Sequence, residues 1–286
     1  MISLIAQHDY KELKAIWIDA FYEAGVGKMD AEYYADTFLL HHGNYSGLVY
    51  RKNDRIVSML FVVPCYWDGV AGYYVYACAT LPQFRGNGYM KALLDTAFEK
   101  VQSEKGFGLV LVPGKPDLFG FYEKCGFQVF SHIAEDVFKE KKKSNEFISV
   151  KTYNVNIINN IRNRFYKQHF AIQFGYQHIH YIQNQMVNEH GATLFFEDDE
   201  RKGYAFCIYD KFNKKVDVWE WALISNSLQK DISSFFAGIC HCFNVLELSI
   251  RSRSGLGLGY ERPFSMIRLC SAKQIPEYPY FNLGMD

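Results

Sequence analysis

The sequence predicts an α/β (α+β mixed-sheet) protein made of two domains. Three observations carry that expectation. A strand-like run, Gly72–Thr80, passes through Gln83-Phe84-Arg85-Gly86-Asn87-Gly88 into an amphipathic helix and then a short apolar strand. That pattern is a strand–helix–strand crossover with parallel pairing. The order strand, helix, strands, long helix, strand then recurs in the second half, as an internal duplication would leave it. A charged run, Lys139–Glu146, separates the two occurrences and marks a linker at 139–146 between domains at 1–138 and 147–286.

The elements follow in order. Ile2–Ile5 is a short apolar strand, and Tyr10–Phe21 places Leu13, Ile16, Trp17, Ala20 and Phe21 on one helical face. Ala31–Leu40 is a second helix. Gly47–Tyr50 and Ile56–Pro64 pair around the turn Lys52-Asn53-Asp54. After the glycine stretch, Met90, Leu93, Leu94, Ala97, Phe98 and Val101 recur at helical spacing. Leu109–Val112 is a buried strand, Leu118–Lys124 a short helix closed by Gly126, and Phe127–Phe138 a returning strand. In the second half, Phe147–Tyr153 is a strand, Asn156–Gln173 is mostly helical, and Ala192–Glu197, Gly203–Tyr209 and Val216–Leu223 are strands. Ile232, Phe235, Phe236, Ile239, Cys240 and Phe243 form the counterpart of the Met90–Val101 helix, and Val245–Ile250 is the strand after it. Between strand and helix this copy reads Ser225-Asn226-Ser227, without glycine, so a helix cap is expected there but no phosphate nest.

Composition narrows the function. The chain has 286 residues, 49% hydrophobic and 17% aromatic, with 31 basic against 31 acidic residues. A balanced charge argues against nucleic acid held by a general positive field. No apolar run reaches the roughly 18 residues of a membrane span, and Met1-Ile2-Ser3-Leu4 does not open a signal peptide. A cytoplasmic protein without a membrane partner is expected, its seven scattered cysteines reduced. Oligomeric state is not legible.

Gly86 and Gly88 just before a helix let successive N–H groups point into one concavity, where the helix adds about half a positive charge. Such a nest holds phosphate. Gln83-Phe84-Arg85-Gly86-Asn87-Gly88, after Pro82, fits the Gln/Arg-x-x-Gly-x-Gly/Ala signature of the GNAT superfamily of acetyl-CoA-dependent N-acetyltransferases. Phe121-Tyr122-Glu123-Lys124-Cys125-Gly126-Phe127 fits that superfamily's second signature, at the expected distance. The chain resembles a two-domain, tandem GNAT protein, distantly similar to Eis-like acetyltransferases, with a degenerate second GNAT-like domain and Phe264–Leu269 near its end. The sterol-carrier-like third domain of Eis-like enzymes is expected to be absent.

That resemblance implies acetyl-CoA as co-substrate and no metal. Gln83, Arg85, Gly86, Asn87, Gly88, Tyr89 and Met90 would cradle the coenzyme A pyrophosphate. Strand 72–80 would splay from its parallel neighbour and seat the pantetheine like an added strand, with Cys78, Ala79 and Thr80 as the candidates for the one N–H that polarises the thioester carbonyl. Tyr122 would be the general acid: a phenol of ordinary pKa about 10 stays protonated at neutral pH and can protonate the departing thiolate. The base stays open among Glu23, Glu32, Asp36, the terminal carboxylate of Asp286 and a water relay. Trp67, Tyr73, Tyr74 and Tyr76 would surround an amine cation, or simply furnish the sheet. His178-x-His180 could be two strand-borne metal ligands, though surface or core histidines are commoner. Cys240-His241-Cys242 reads as helix packing and Ser254–Gly259 as a loop. The expected function is direct acetyl transfer to the primary amine of a small molecule. A non-catalytic coenzyme A sensor, or a longer-chain acyl or aminoacyl transferase, are the alternatives.

Overall fold

The computed structural model describes residues 1–23, 25, 28–41, 47–140, 149–150, 154–166, 171–188, 190–272 and 274–282. These fall into two compact units, and each takes strands from both halves of the sequence. One unit contains Met1–Val129 with Ser265–Gln274, the other Phe130–Phe264 with residues 275–282. Most of the linker expected at 139–146 lies outside the described residues.

In the first unit the strands are β1 (Ile2–Leu4), β2 (Gly47–Lys52), β3 (Arg55–Trp67), β4 (Val70–Thr80) and β5 (Gly108–Leu111). The helices are α1 (Tyr10–Glu23), α2 (Lys28–His41), α3 (Tyr89–Ser103) and α4 (Phe119–Lys124). Strands β1 to β5 lie side by side in chain order. Positive φ at Asn53 and Asp54, and at Asp68 and Gly69, turns the β2–β3 and β3–β4 hairpins with the twist that two-residue loops favour. Strands β4 and β5 run parallel, because α3 carries the chain back across the sheet. The outer neighbour of β5 comes from the far end of the sequence: Met266–Leu269 pairs antiparallel with Leu111–Gly108. Gly108 permits this approach, since a Cβ there would stand 2.0 Å from the Arg268 carbonyl oxygen. The apolar stripe of α3 (Leu93, Leu94, Ala97, Val101) packs on Leu60, Val62, Val75, Leu109 and Leu111. Each of the leucine and valine side chains is worth about 1.5–3 kcal/mol in burial.

The second unit holds β6 (Gln128–Lys139) from Phe130 onward, β7 (Ser149–Val150), α5 (Val155–Tyr166), β8 (Gln173–Phe174), α6 (Tyr176–Asn188), β9 (Ala192–Glu197) and β10 (Lys202–Asp210). It continues with β11 (Lys215–Ile224), α7 (Leu228–Phe243), β12 (Glu247–Arg253) and the start of β13 (Tyr260–Leu269). Its strand order is β6-β12-β11-β10-β9-β7. Strands β11 and β12 run parallel, as β4 and β5 do, and α7 buries Phe235, Phe236, Ile239 and Cys240 against Trp221, Leu248 and Ile250. Both halves therefore carry one parallel pair joined through a long helix. The other side of β11 holds a dry ion pair. Arg162 on α5 bonds Glu220 at 3.0 Å with both side chains fully buried. Tyr280 and Tyr204 also donate to Glu220.

One expectation changes here. His178 and His180 lie on helix α6, not on a strand. Positions two apart on a helix face different directions; His178 is buried beside the Phe174 ring and His180 is exposed. Of Trp67, Tyr73, Tyr74 and Tyr76, the rings of Tyr74 and Tyr76 meet at 6.0 Å, whereas Trp67 and Tyr73 also take partners outside the group. Trp67 packs against Phe107, and Tyr73 donates to Glu104 at 2.6 Å while its ring faces Lys100.

Candidate active site

The Gln83–Gly88 stretch forms a short turn followed by an open loop. Pro82–Phe84 makes one tight turn, and Gly86 and Gly88 take φ of +77° and +78°. A built Cβ at either glycine would meet nothing within 4 Å, so backbone conformation rather than space demands glycine. The Asn87 side-chain amide donates to the carbonyls of Phe84 (3.0 Å) and Arg85 (3.1 Å), fixing the loop from inside. Helix α3 starts at Tyr89, and its first backbone bond runs from Ala92 N–H to Gly88 O. Among the described residues, the N–H groups of residues 86–91 have no protein acceptor. These donors sit at the positive end of a 15-residue helix with no acidic residue in its first turn. Gln83, Arg85, Gly86, Asn87 and Gly88 are exposed, while Tyr89 and Met90 are half-buried, Tyr89 lying 4.4 Å from the Tyr50 ring.

Next to this loop the sheet opens. The β4–β5 ladder consists of Tyr73–Leu109 and Tyr74–Val110 and then stops, although β4 continues to Thr80. On its other edge β4 carries an irregularity between the Met59–Ala79 and Phe61–Tyr76 pairs, with Ala77 at φ +50°. A bulge with a left-handed alanine re-aims the strand. Ser58 secures the strand end, donating to Ala79 O at 3.2 Å and pairing with the Thr80 hydroxyl at 2.8 Å.

Tyr122 on α4 meets Cys78 of β4 in the cluster that α3 covers. The Tyr122 hydroxyl and the Cys78 thiol influence each other's titration. Burial, with further contributions from Cys78, Cys125 and Tyr74, holds Tyr122 well above the ordinary phenol value. Burial pushes the Cys78 thiol up to about 12, despite the opposing effect of Tyr122. Tyr122 is therefore a protonated donor, and Cys78 a neutral thiol rather than a nucleophile.

The opposite face of β4 carries aromatic residues that are distant in the sequence. Trp17 and Phe21 from α1, Phe38 from α2, and Phe61 from β3 gather round Tyr76, with ring centroids 5.0–6.5 Å apart. The helical spacing of α1 marked Trp17 and Phe21 as inward-facing, but nothing local said that Tyr76 would be their partner. Of the candidate bases, Glu23, Glu32 and Asp36 are ion-paired. Lys14 binds both Glu32 and Asp36 at 2.8 Å, and Arg85 binds Glu23 at 2.5 Å. Asp286 lies outside the described residues. Lys115, not singled out in the sequence, donates to the Glu23 carbonyl at 3.0 Å.

The second copy differs at the matching helix start. Ser225 Oγ accepts the Ser227 N–H and donates to Asp231, which stands in the first turn of α7 and faces Arg201 at 3.4 Å. A carboxylate of the chain itself thus occupies the positive helix end. Among the described residues, no group of three or more His, Cys, Asp and Glu could hold a metal ion.

Residues 10–127 match the model of the acetyltransferase (GNAT) family. No curated protein matches the sequence. The fold is shared with a probable N-acyltransferase from Enterococcus faecalis V583, 16% identical, over 94% of this chain and 72% of that one, with a TM-score of 0.73. It is shared also with a GCN5-related N-acetyltransferase from Anabaena variabilis ATCC 29413 (14% identity, 95% and 73% coverage, TM-score 0.70). Eis1 from Mycobacterium abscessus aligns over 95% of this chain and 74% of its own, at 11% identity and a TM-score of 0.68.

Proposed function

From the match of residues 10–127 to the acetyltransferase (GNAT) family model, we propose that the chain transfers an acetyl group from acetyl-CoA directly to the primary amine of a small molecule. The observation that carries this reading is the row of unclaimed N–H donors at residues 86–91, beside the point where the β4–β5 ladder stops. A diphosphate fits the donors, and an extended amide-containing arm fits the free edge of β4. Acetyl-CoA, when bound, supplies an activated acyl thioester.

The chain's own residues then have defined tasks. Gln83, Arg85, Gly86, Asn87, Gly88, Tyr89 and Met90 hold the diphosphate. The bulged segment Cys78–Thr80 presents main-chain groups to the acyl carbonyl, where a fixed N–H stabilises developing negative charge. Tyr122 keeps a proton ready for the leaving sulfur. In this reading residues 1–138 carry the chemistry and residues 147–286 form a degenerate GNAT-like copy, its helix start occupied by Asp231. No helix among the described residues is long and apolar enough to cross a membrane. The free thiols of all seven cysteines fit a reducing compartment such as the cytoplasm.

The ion pairing of Glu23, Glu32 and Asp36 favours a second reading, a coenzyme A-binding protein without turnover. Release of coenzyme A thiol from acetyl-CoA in the presence of a panel of primary amines separates the two. Amine-dependent release supports transfer. Tight coenzyme A binding with no release on any amine supports the binding protein.

A further inference from the structure

Two cations from opposite sides of the β4–β5 opening converge on one residue of α1. Arg85 follows β4 and Lys115 follows β5. Arg85 Nη2 lies 2.5 Å from Glu23 Oε2, and Arg85 Nε donates to the Thr80 carbonyl at 3.0 Å. Lys115 Nζ donates to the Glu23 main-chain carbonyl at 3.0 Å. Glu23 therefore spans the open end of the splayed strands. Arg85 belongs to the same loop as the free N–H donors, so the one guanidinium is adjacent to two anions: the Glu23 carboxylate and whatever anion the loop receives. Glu32 and Asp36 differ, because their shared partner Lys14 lies on α1, outside the loop.

We propose that Glu23 is a specificity residue for the amine, masked by Arg85 until a diphosphate competes for that guanidinium. The inference rests on the reading of the 83–90 loop as a coenzyme A site and adds a coupling to it. Binding of coenzyme A weakens the Arg85–Glu23 pair and leaves an unpaired carboxylate at the cleft mouth, where it favours an alkylammonium ion. Linkage makes the effect reciprocal: a cation at Glu23 releases Arg85 and favours coenzyme A. The two side chains are 50% and 44% exposed, so the pair is solvent-screened and the coupling modest. An exposed pair of this kind corresponds to about a twofold to fivefold change in affinity.

The test uses coenzyme A itself, so no acceptor need be known. Its affinity is measured by calorimetry for the unsubstituted protein, Glu23→Gln, Arg85→Gln and the double variant, at low and high salt. The expected result is tighter binding by Glu23→Gln, by about twofold to fivefold, weaker binding by Arg85→Gln, and no effect of Glu23→Gln once Arg85 is gone. The gain should shrink as salt rises. An unchanged or weaker affinity in Glu23→Gln, or the same gain without Arg85, overturns the coupling while leaving the coenzyme A site standing. Failure of the unsubstituted protein to bind coenzyme A overturns both.

Discussion

Replacing Tyr122 by Phe removes one oxygen atom and little else. The ring is 6% exposed and packed between Phe121 and Phe127, with centroids at 5.1 and 5.8 Å, and phenylalanine fills the same space. The hydroxyl's neighbour is the Cys78 thiol, a weak hydrogen-bonding group, so losing that interaction costs at most about 1 kcal/mol of stability. Proton donation to a departing group is worth about 10²-fold or more, which is about 2.7 kcal/mol of barrier. The expected outcome is a fall in kcat of about 100-fold, with coenzyme A affinity and melting temperature nearly unchanged. The pH dependence has a sign. The acid works while protonated, and burial raises the Tyr122 pKa well above the ordinary 10. The unsubstituted enzyme should therefore show no alkaline fall from this group up to about pH 10. Thiol release from acetyl-CoA, followed across pH on any accepted amine, is the assay. A kcat within about threefold of the parent, with the same pH profile, refutes Tyr122 as the acid.

Other consequences are open to simple measurements. Gly88→Ala, at φ +78° where α3 begins, should lower stability by about 1–3 kcal/mol and weaken coenzyme A binding, read by melting and titration. Asn87→Ala removes two loop-closing bonds, and coenzyme A affinity should drop about tenfold while the melting temperature barely moves. Glu220→Leu strands the buried Arg162 charge, so denaturant titration should show a loss of about 3–5 kcal/mol, partly recovered in the Arg162→Met double variant. Asp95 is raised by burial, but Lys91 and Arg268 outweigh this and hold it below 3.8. Its contribution is present above pH 3.8 and lost as pH falls through the lower folded value, so the melting temperatures of parent and Asp95→Asn should converge in acid.

Much of this was legible because it is local. The α3 stripe, the two hairpins, the helix start at Gly88 and the short helix bearing Tyr122 each follow from residues a few positions apart. The turns at Gly86 and Gly88 were readable for the same reason, since left-handed backbone there is a property of the loop alone. What was not legible depends on partners far along the chain. Nothing near Met266 says that it pairs with Leu111, and the same apolar run suits any buried strand. Tyr73 and Tyr76 look alike in sequence, yet one meets Glu104 and the other meets Trp17, because facing residues are set by register and by the bulge at Ala77. His178-x-His180 suits the alternation of a strand, whereas the apolar spacing of Ile179, Ile182 and Met186 makes it a helix. The pairing of Glu23 with Arg85 joins residues 62 positions apart and was invisible before the fold.

The most direct measurement is amide hydrogen exchange at residues 86–91, with and without coenzyme A and with pantetheine as the control that lacks the diphosphate. Slowed exchange in that stretch with coenzyme A, and none with pantetheine, is the expected result. Coenzyme A that binds without protecting those amides, or equal protection by pantetheine, would contradict a diphosphate held by the backbone there.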